Sequence, residues 1–308
     1  MKVLFYFLIL PGFLFTAAAG LLSSWIDRKV TARVQWRVGP PFLQPLIDIV
    51  KLLGKETILP STANKITFLL SPVIGLVGIT LVSTLLWIMD ANPNASFIGD
   101  LIVVLYLLAI PSISVIMGGF SSGNPIASIG ASREMKLLLS YELPFILAIL
   151  VPVIKSGGLI KIGQLLNYQA HNGVFAGSAS GAIALVVAII CMQAKLALVP
   201  FDMPEAETEL IGGPIIEYSG TVLAMYKLTR AMMLFTLPVF LVIIFIGGIE
   251  LAFPAAIWGI LKIVGLLVII ILIRNTNPRL RIDQAVKLFW GPITGLAVLA
   301  VVLAFLGK

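Results

Sequence analysis

The sequence predicts an all-α membrane protein of eight transmembrane helices, with amphipathic helices in its cytoplasmic loops and both termini outside. Three observations predict it: an apolar composition, eight apolar runs of spanning length, and a one-sided distribution of Lys and Arg. Hydrophobic residues make up 59% of the 308 and charged residues 11%, with a mean hydropathy of +1.09. A soluble domain of this length needs far more polar surface, so lipid must be the main solvent.

The runs lie at about 3–24, 66–89, 98–118, 135–154, 178–199, 218–247, 254–273 and 288–307. Each is long enough to cross about 30 Å of hydrocarbon. The first resembles a signal peptide in outline, with Lys2, an apolar run and Ala17-Ala18-Ala19-Gly20. It is too long for a signal core, and Arg28-Lys29 follow as a stop-transfer flank. No polar stretch is long enough for a soluble domain, and no internal repeat or low-complexity segment appears. Residues 1–308 therefore read as one polytopic domain.

Lys and Arg set the orientation. Loop 25–65 holds Arg28, Lys29, Arg33, Arg37, Lys51, Lys55 and Lys65, and Arg133 and Lys136 flank the end of loop 119–134. Lys195 precedes loop 200–217, and loop 274–287 holds Arg274, Arg279, Arg281 and Lys287. These loops alternate onto one face, expected to be cytoplasmic. The other face has only Lys2, Lys155, Lys161 and Lys308. Its longest loop, 155–177, reads as a plain connector with at most a short surface helix.

The net charge of +7 is spread between apolar runs, so it speaks for membrane topology and against nucleic acid. A single cysteine, Cys191, excludes an internal disulfide and a cysteine-ligated iron–sulfur cluster held by this chain alone. A single histidine, His171, argues equally against haem or a histidine metal site. No phosphate loop, zinc spacing or nucleophile motif is present. Any redox centre belongs to a partner.

Polar residues concentrate in two loops. In the first, apolar positions 46, 49, 50, 52 and 53 form one helical stripe, with Asp48, Lys51 and Lys55 on another face. That pattern predicts a short amphipathic helix at the membrane interface; the bland alternative is a basic anchor for topology. The second, 200–217, carries Asp202, Glu205, Glu207, Glu209 and Glu217, five acids on the face that topology requires to be basic. Asp202 is placed to cap a short helix with Glu205 three residues on, and Glu205 and Glu209 to share a face. Gly212-Gly213-Pro214 should end that helix. The loop is either a solvated acidic surface or a proton path of carboxylates that raise one another's pKa.

Glu142 lies inside the fourth span, where an ionised carboxylate costs about 2.5–3.5 kcal/mol on insertion scales. Pro144 follows two residues later; the structural alternative is a hydrogen bond to Tyr141, Arg133 or Lys136. Lys227 and Arg230 begin the sixth span and can snorkel, whereas Lys262 sits mid-span.

These segments resemble subunit 1 of respiratory complex I. The resemblance is carried by Asp27-Arg28-Lys29, Arg33-Val34-Gln35-Trp36-Arg37-Val38-Gly39-Pro40 and the stretch Pro45 to Glu56. Gly130 to Arg133, Ser140-Tyr141-Glu142, Pro200-Phe201-Asp202-Met203-Pro204-Glu205-Ala206-Glu207-Thr208-Glu209-Leu210, Glu217-Tyr218-Ser219-Gly220 and Pro278 to Gln284 complete it, in order along nearly the whole chain. The resemblance implies a membrane anchor beneath a peripheral electron-transfer arm. It implies a proton or ion relay through Glu142, Asp202, Glu205, Glu207, Glu209 and Glu217. It also implies a chamber or docking surface with Arg28, Arg33, Arg37, Asp48, Lys51, Lys227, Arg230, Arg279 and Asp283.

Two stretches depart from the quinone-reducing pattern: Gly212-Gly213-Pro214, and Thr221 to Arg230 after the Glu-Tyr-Ser-Gly motif. Both look more like the membrane subunits of energy-converting nickel–iron hydrogenases. The leading expectation is thus the coupling subunit of a ferredoxin-linked hydrogenase in a prokaryotic cytoplasmic membrane, moving protons or sodium. This chain would carry no cofactor itself. Its partners would be a hydrogenase-like large subunit with the nickel–iron centre, an iron–sulfur small subunit, and antiporter-like membrane subunits. Lys227 and Arg230 would close the chamber by pairing with Glu209 or Glu217. The alternatives are the homologous subunit of a quinone- or sulfur-reducing complex and, in another class, a stand-alone ion transporter.

Overall fold

The computed structural model describes residues 2–250 and 253–307, and the regular structure among them is helical. The helices are α1 (Lys2–Leu8), α2 (Phe13–Val34), α3 (Gln44–Leu53), α4 (Lys65–Ala91), α5 (Asp100–Leu107), α6 (Ile110–Ser121) and α7 (Pro125–Lys155). They continue as α8 (Ile162–Asn172), α9 (Ala179–Lys195), α10 (Glu207–Leu210), α11 (Gly220–Phe245), α12 (Ala255–Thr276), α13 (Ile282–Leu288) and α14 (Thr294–Phe305). Among the described residues, seven segments are long and apolar enough to cross a membrane: Leu4–Val34, Lys65–Ala91, Asp100–Ser121, Pro125–Lys155, Gly220–Phe245, Ala255–Thr276 and Ile282–Phe305. The run expected at 178–199 is helical only over the 17 residues of α9, about 25 Å of rise.

Local chemistry explains where the helices depart from the apolar runs. The side chain of Asn124 accepts the Ile126 N–H at 2.8 Å, and Pro125 occupies the first helical position. This start signal launches α7 ten residues before its apolar run and draws Arg133 and Glu134 into the helix. Likewise α2 continues to Val34, so Asp27, Arg28, Lys29 and Arg33 stand on a helix and not in a loop. The third crossing is broken. Its pieces α5 and α6 meet at Leu108-Ala109, with Pro111 in the first turn of α6.

α11 is the axis of the bundle, with 89% of its apolar window buried. It packs against α2, α3, α4 and α12, while α7 packs against α6, α9 and α14. Side chains on α12 and α14 face outward along much of their length, as lipid-facing helices do. The amphipathic α3 leaves Leu46, Ile47, Val50 and Leu53 about half exposed, which suits a helix lying in the membrane interface.

Ion pairs and hydrogen bonds bring the four loop segments rich in charge to one end of the bundle. Arg274 of α12 donates to Asp27 of α2 at 2.7 Å, Arg279 holds Asp202, Arg133 holds Glu209, and Asn124 donates to Glu217. At the opposite end Asp100 accepts the N–H groups of Leu101 and Ile162, tying α5 to α8. Segment 155–177 is therefore more than a connector: α8 buries Leu165 and Gln169, and Gln169 donates to the Ile243 carbonyl at 3.0 Å.

The Asp27–Arg274 pair clasps α2 to α12 from partly buried positions, and the second Asp27 oxygen has no protein partner. Arg274→Met is expected to lower stability by about 2 kcal/mol through the unpaired carboxylate. Thermal unfolding in detergent reads this; an unchanged midpoint would mean the clasp contributes nothing.

Candidate functional site

The acidic loop is organised by arginines from three other segments. Arg279, between α12 and α13, donates through Nε at 2.8 Å and Nη2 at 2.6 Å to the two oxygens of Asp202. Arg230 of α11 grips Glu205 with both Nη atoms, Nη1 to Oε2 at 2.7 Å. Arg133 of α7 donates to Glu209 at 2.5 Å and to the Met203 carbonyl at 3.3 Å. These matched charges answer the puzzle of acids at a basic end, because forked arginine–carboxylate pairs are both strong and directional.

The expected capping helix does not form. A single 3-10 turn, Met203–Glu205, follows Asp202, whose side chain caps nothing because Arg279 holds it. Glu205 turns inward, while Glu209 on α10 is half exposed, so the two share no helix face. The Arg133 hydrogen bond holds the Glu209 carboxyl below its ordinary range. Glu217 accepts from Asn124 Nδ2 at 2.6 Å. The side chain of Glu207 lies outside the described residues. The loop closes through Ile211, Gly212 and Gly213, all at positive φ, which ends α10 as the glycines predict.

Three spaces surround this framework. The chamber, about 100 Å³, is lined by Ser112, Glu134, Lys195, Glu205, Tyr226 and Arg230 among others. Glu134 is only 4% exposed and shares a hydrogen bond with Ser112, whose hydroxyl lies 3.2 Å from that of Tyr141. A lateral cleft of about 200 Å³ opens between α5 and α7, lined by Leu101, Leu105, Tyr106 and Glu142. Glu142 pairs across the wall with Lys195, Oε2 to Nζ at 3.1 Å. The partner is thus Lys195 and not Tyr141, Arg133 or Lys136, the three that the structural alternative named.

A third space of about 270 Å³ contains Asp27, Arg28, Asp48, Lys227, Arg230 and Arg274. Arg28 donates to Asp48 at 2.7 Å and Gln44 donates to its other oxygen at 2.8 Å. The Arg28 hydrogen bond, helped by Gln44, keeps the Asp48 carboxyl below its ordinary range. The α2–α3 clasp is therefore present above that range and is lost only as pH falls through the lowered value. Leu21 and Pro45 are shared with an apolar cleft of about 470 Å³ between α2 and α3, lined by Phe15, Ala19, Leu22, Phe42 and Leu46.

The expected closure by Lys227 and Arg230 takes another form. Arg230 is held by Glu205, neither Glu209 nor Glu217 reaches it, and Lys227 lines the two charged spaces. Arg33, Arg37 and Lys51 are exposed, as is Trp36 at 98%. Asp283 lies elsewhere, in an open groove between α7 and α13 with Lys136 and Lys287. Two residues of the site escaped the sequence reading. Glu134 sat in what read as a loop, and Lys195 read as a topology flank. The signal for Glu134 was available in Asn124-Pro125, which starts α7 early enough to put Glu134 and Tyr141 seven residues apart on one buried face.

A protein-family model described as NADH dehydrogenase matches residues 5–305. An NADH-quinone oxidoreductase subunit of Thermomicrobium roseum is 34% identical over 316 residues, covering 94% of this chain and 92% of that protein. NADH-quinone oxidoreductase subunit 8 of Thermus thermophilus is 34% identical, covering 91% of this chain and 82% of that protein. A chain in the solved structure of the membrane-bound sulfane sulfur reductase, an archaeal respiratory membrane complex, is 30% identical with a TM-score of 0.88. That similarity covers 99% of this chain and 100% of the other.

Proposed function

Because the chain belongs to the NADH dehydrogenase family of complex I-type membrane subunits, we propose that it is the chamber-forming coupling subunit of a multisubunit respiratory complex in a prokaryotic cell membrane. It seats a peripheral electron-transfer arm on its charged end and passes redox energy to protons or sodium ions. The observation that carries this is the paired Lys195 and Glu142, which join a chamber of buried carboxylates to a cleft facing sideways into the membrane. A carboxyl within a membrane helix is costly even when paired, so one held at such a junction marks an ion path. Glu134, Glu205 and Glu142 are its members. Asp202 and Glu209 brace the loop through Arg279 and Arg133, and Glu217 and Glu207 remain in the relay by resemblance alone.

The partners follow from the surfaces. The peripheral arm, holder of the redox centres, docks over Arg33, Trp36, Arg37 and Lys51, with Trp36 as a large exposed anchor. Antiporter-like membrane subunits receive the ion beyond the α5–α7 cleft. The chain crosses eight times, α9 included, with both termini outside. Cysteines at Asn94 and Asn172 should label from outside, and one at Gln35 should not; outside labelling at Gln35 would overturn this topology.

The electron acceptor has two supported readings. The apolar cleft beside the Arg28–Asp48 pair suits a quinone-class molecule, which needs a lipid-accessible space of several hundred Å³. The full-length match to the sulfane sulfur reductase chain favours a sulfur acceptor. The nickel–iron hydrogenase reading rests only on Gly212-Gly213-Pro214 and Thr221 to Arg230, and the relatives described above give it less support. Purified complex without nickel that reduces quinone or polysulfide supports the first two and separates them. Nickel together with hydrogen evolution from reduced ferredoxin would restore the hydrogenase reading.

A further inference from the structure

Among the described residues Lys195 is the only cation in the buried core, with its side chain 0% exposed. It stands in the wall between two spaces. Lys195 lines the chamber that holds Glu134 and Glu205, Glu142 lines the lateral cleft, and their 3.1 Å contact crosses the wall. The ammonium also sits 5.1 Å from the centroids of both the Tyr141 and Phe145 rings. Ring faces attract a cation without fixing its direction.

A brace would be better made another way. Arginine grips a carboxylate with two bonds, as Arg230 and Arg279 do in this same chain, and buried apolar pairs often do as well as buried ions. Lysine is a compact charge on a flexible four-carbon stem, held here by one contact and two rings. From the chamber wall its neighbours of opposite sign are Glu134 and Glu205, and Glu205 is already engaged by Arg230.

We propose that Lys195 is a charge gate between the chamber and the lateral cleft, its ammonium alternating between Glu142 and Glu134. The inference rests on Glu142 being a relay carboxyl. At rest the ammonium neutralises ionised Glu142, and Glu134 holds a proton. When redox events beside the chamber favour ionised Glu134, its proton moves by way of chamber water to Glu142, and the ammonium crosses to Glu134. A new proton then enters at Glu134 from the chamber, the ammonium returns, and Glu142 passes its proton to a titratable side chain of the membrane subunit that covers the apolar cleft. Lys195 keeps its own proton throughout, so one proton enters and one leaves in each cycle.

The test uses the assembled complex in vesicles, with Lys195→Met, Lys195→Arg and Glu142→Gln compared for ions moved per electron. Both Lys195 variants are expected to lose most of the ratio, because methionine removes the mobile charge and arginine locks it on Glu142. A merely structural pair would be satisfied by arginine, so a normal ratio in Lys195→Arg overturns the gate while leaving the relay intact. A normal ratio in Glu142→Gln overturns relay and gate together. Should Lys195→Met fail to assemble, redox-triggered infrared difference spectra of the unmodified complex decide. A transient protonated-carboxyl band, absent in Glu142→Gln, is expected; a Glu142 that never takes up a proton overturns the gate.

Discussion

Glu142→Gln is expected to remove most of the ions moved per electron while the complex still assembles. Glutamine keeps the shape of the side chain and leaves an amide oxygen within reach of Lys195, so the buried ammonium is not stranded. What disappears is the carboxyl that, among the described residues, lines the lateral cleft and touches Lys195 of the chamber. Ion uptake and electron transfer measured together in vesicles read this ratio. Glu205→Gln should act similarly from inside the chamber, whereas Glu209→Gln, half exposed on Arg133, should change the ratio little. Equal effects of the two would contradict the division of that loop into a working and a bracing half.

Gly213→Val is expected to abolish assembly or cost about 4 kcal/mol. Gly213 has φ +59, a region that a β-branched residue essentially never occupies. A Cβ there would lie 1.9 Å from the carbonyl oxygen of Pro204 and 2.9 Å from its carbon. Both are backbone atoms of the turn that presents Glu205, so relief must come from opening the loop and pulling Glu205 away from Arg230. Gly265→Ala is the control, because a Cβ at Gly265 meets nothing within 4 Å. Yield of assembled complex and its unfolding midpoint measure the difference. A normal Gly213→Val complex would show that the 204–213 closure is dispensable.

Much of this architecture is legible in the sequence because bilayer thickness and backbone satisfaction leave few options for an apolar run. The amphipathic α3 was legible too, since its stripe at 46, 49, 50, 52 and 53 is a local property. Hydropathy failed where local capping overrides it, as at Asn124-Pro125, which carries α7 out past Glu134. It also failed where a helix is shorter than its run, as in α9. The site was legible as a set of residue types and hardly at all as pairings. Arg279 with Asp202, Arg133 with Glu209 and Lys195 with Glu142 are 77, 76 and 53 residues apart. No periodicity in one sequence reports contacts across such separations. The capping-box pattern at Asp202 misled for the same reason: a distant guanidinium outcompetes a nearby backbone N–H for the carboxylate.

In the function proposed above, this chain couples electron transfer in a partner to ion movement through its own membrane domain. Its most direct test is ion uptake into sealed vesicles containing the purified complex, followed while electrons flow to the acceptor. Uptake is expected in fixed proportion to electrons, collapsed by an uncoupler and absent when the peripheral arm is stripped away. Electron transfer with no ion uptake, or ion flux through this chain alone without electron flow, would contradict it.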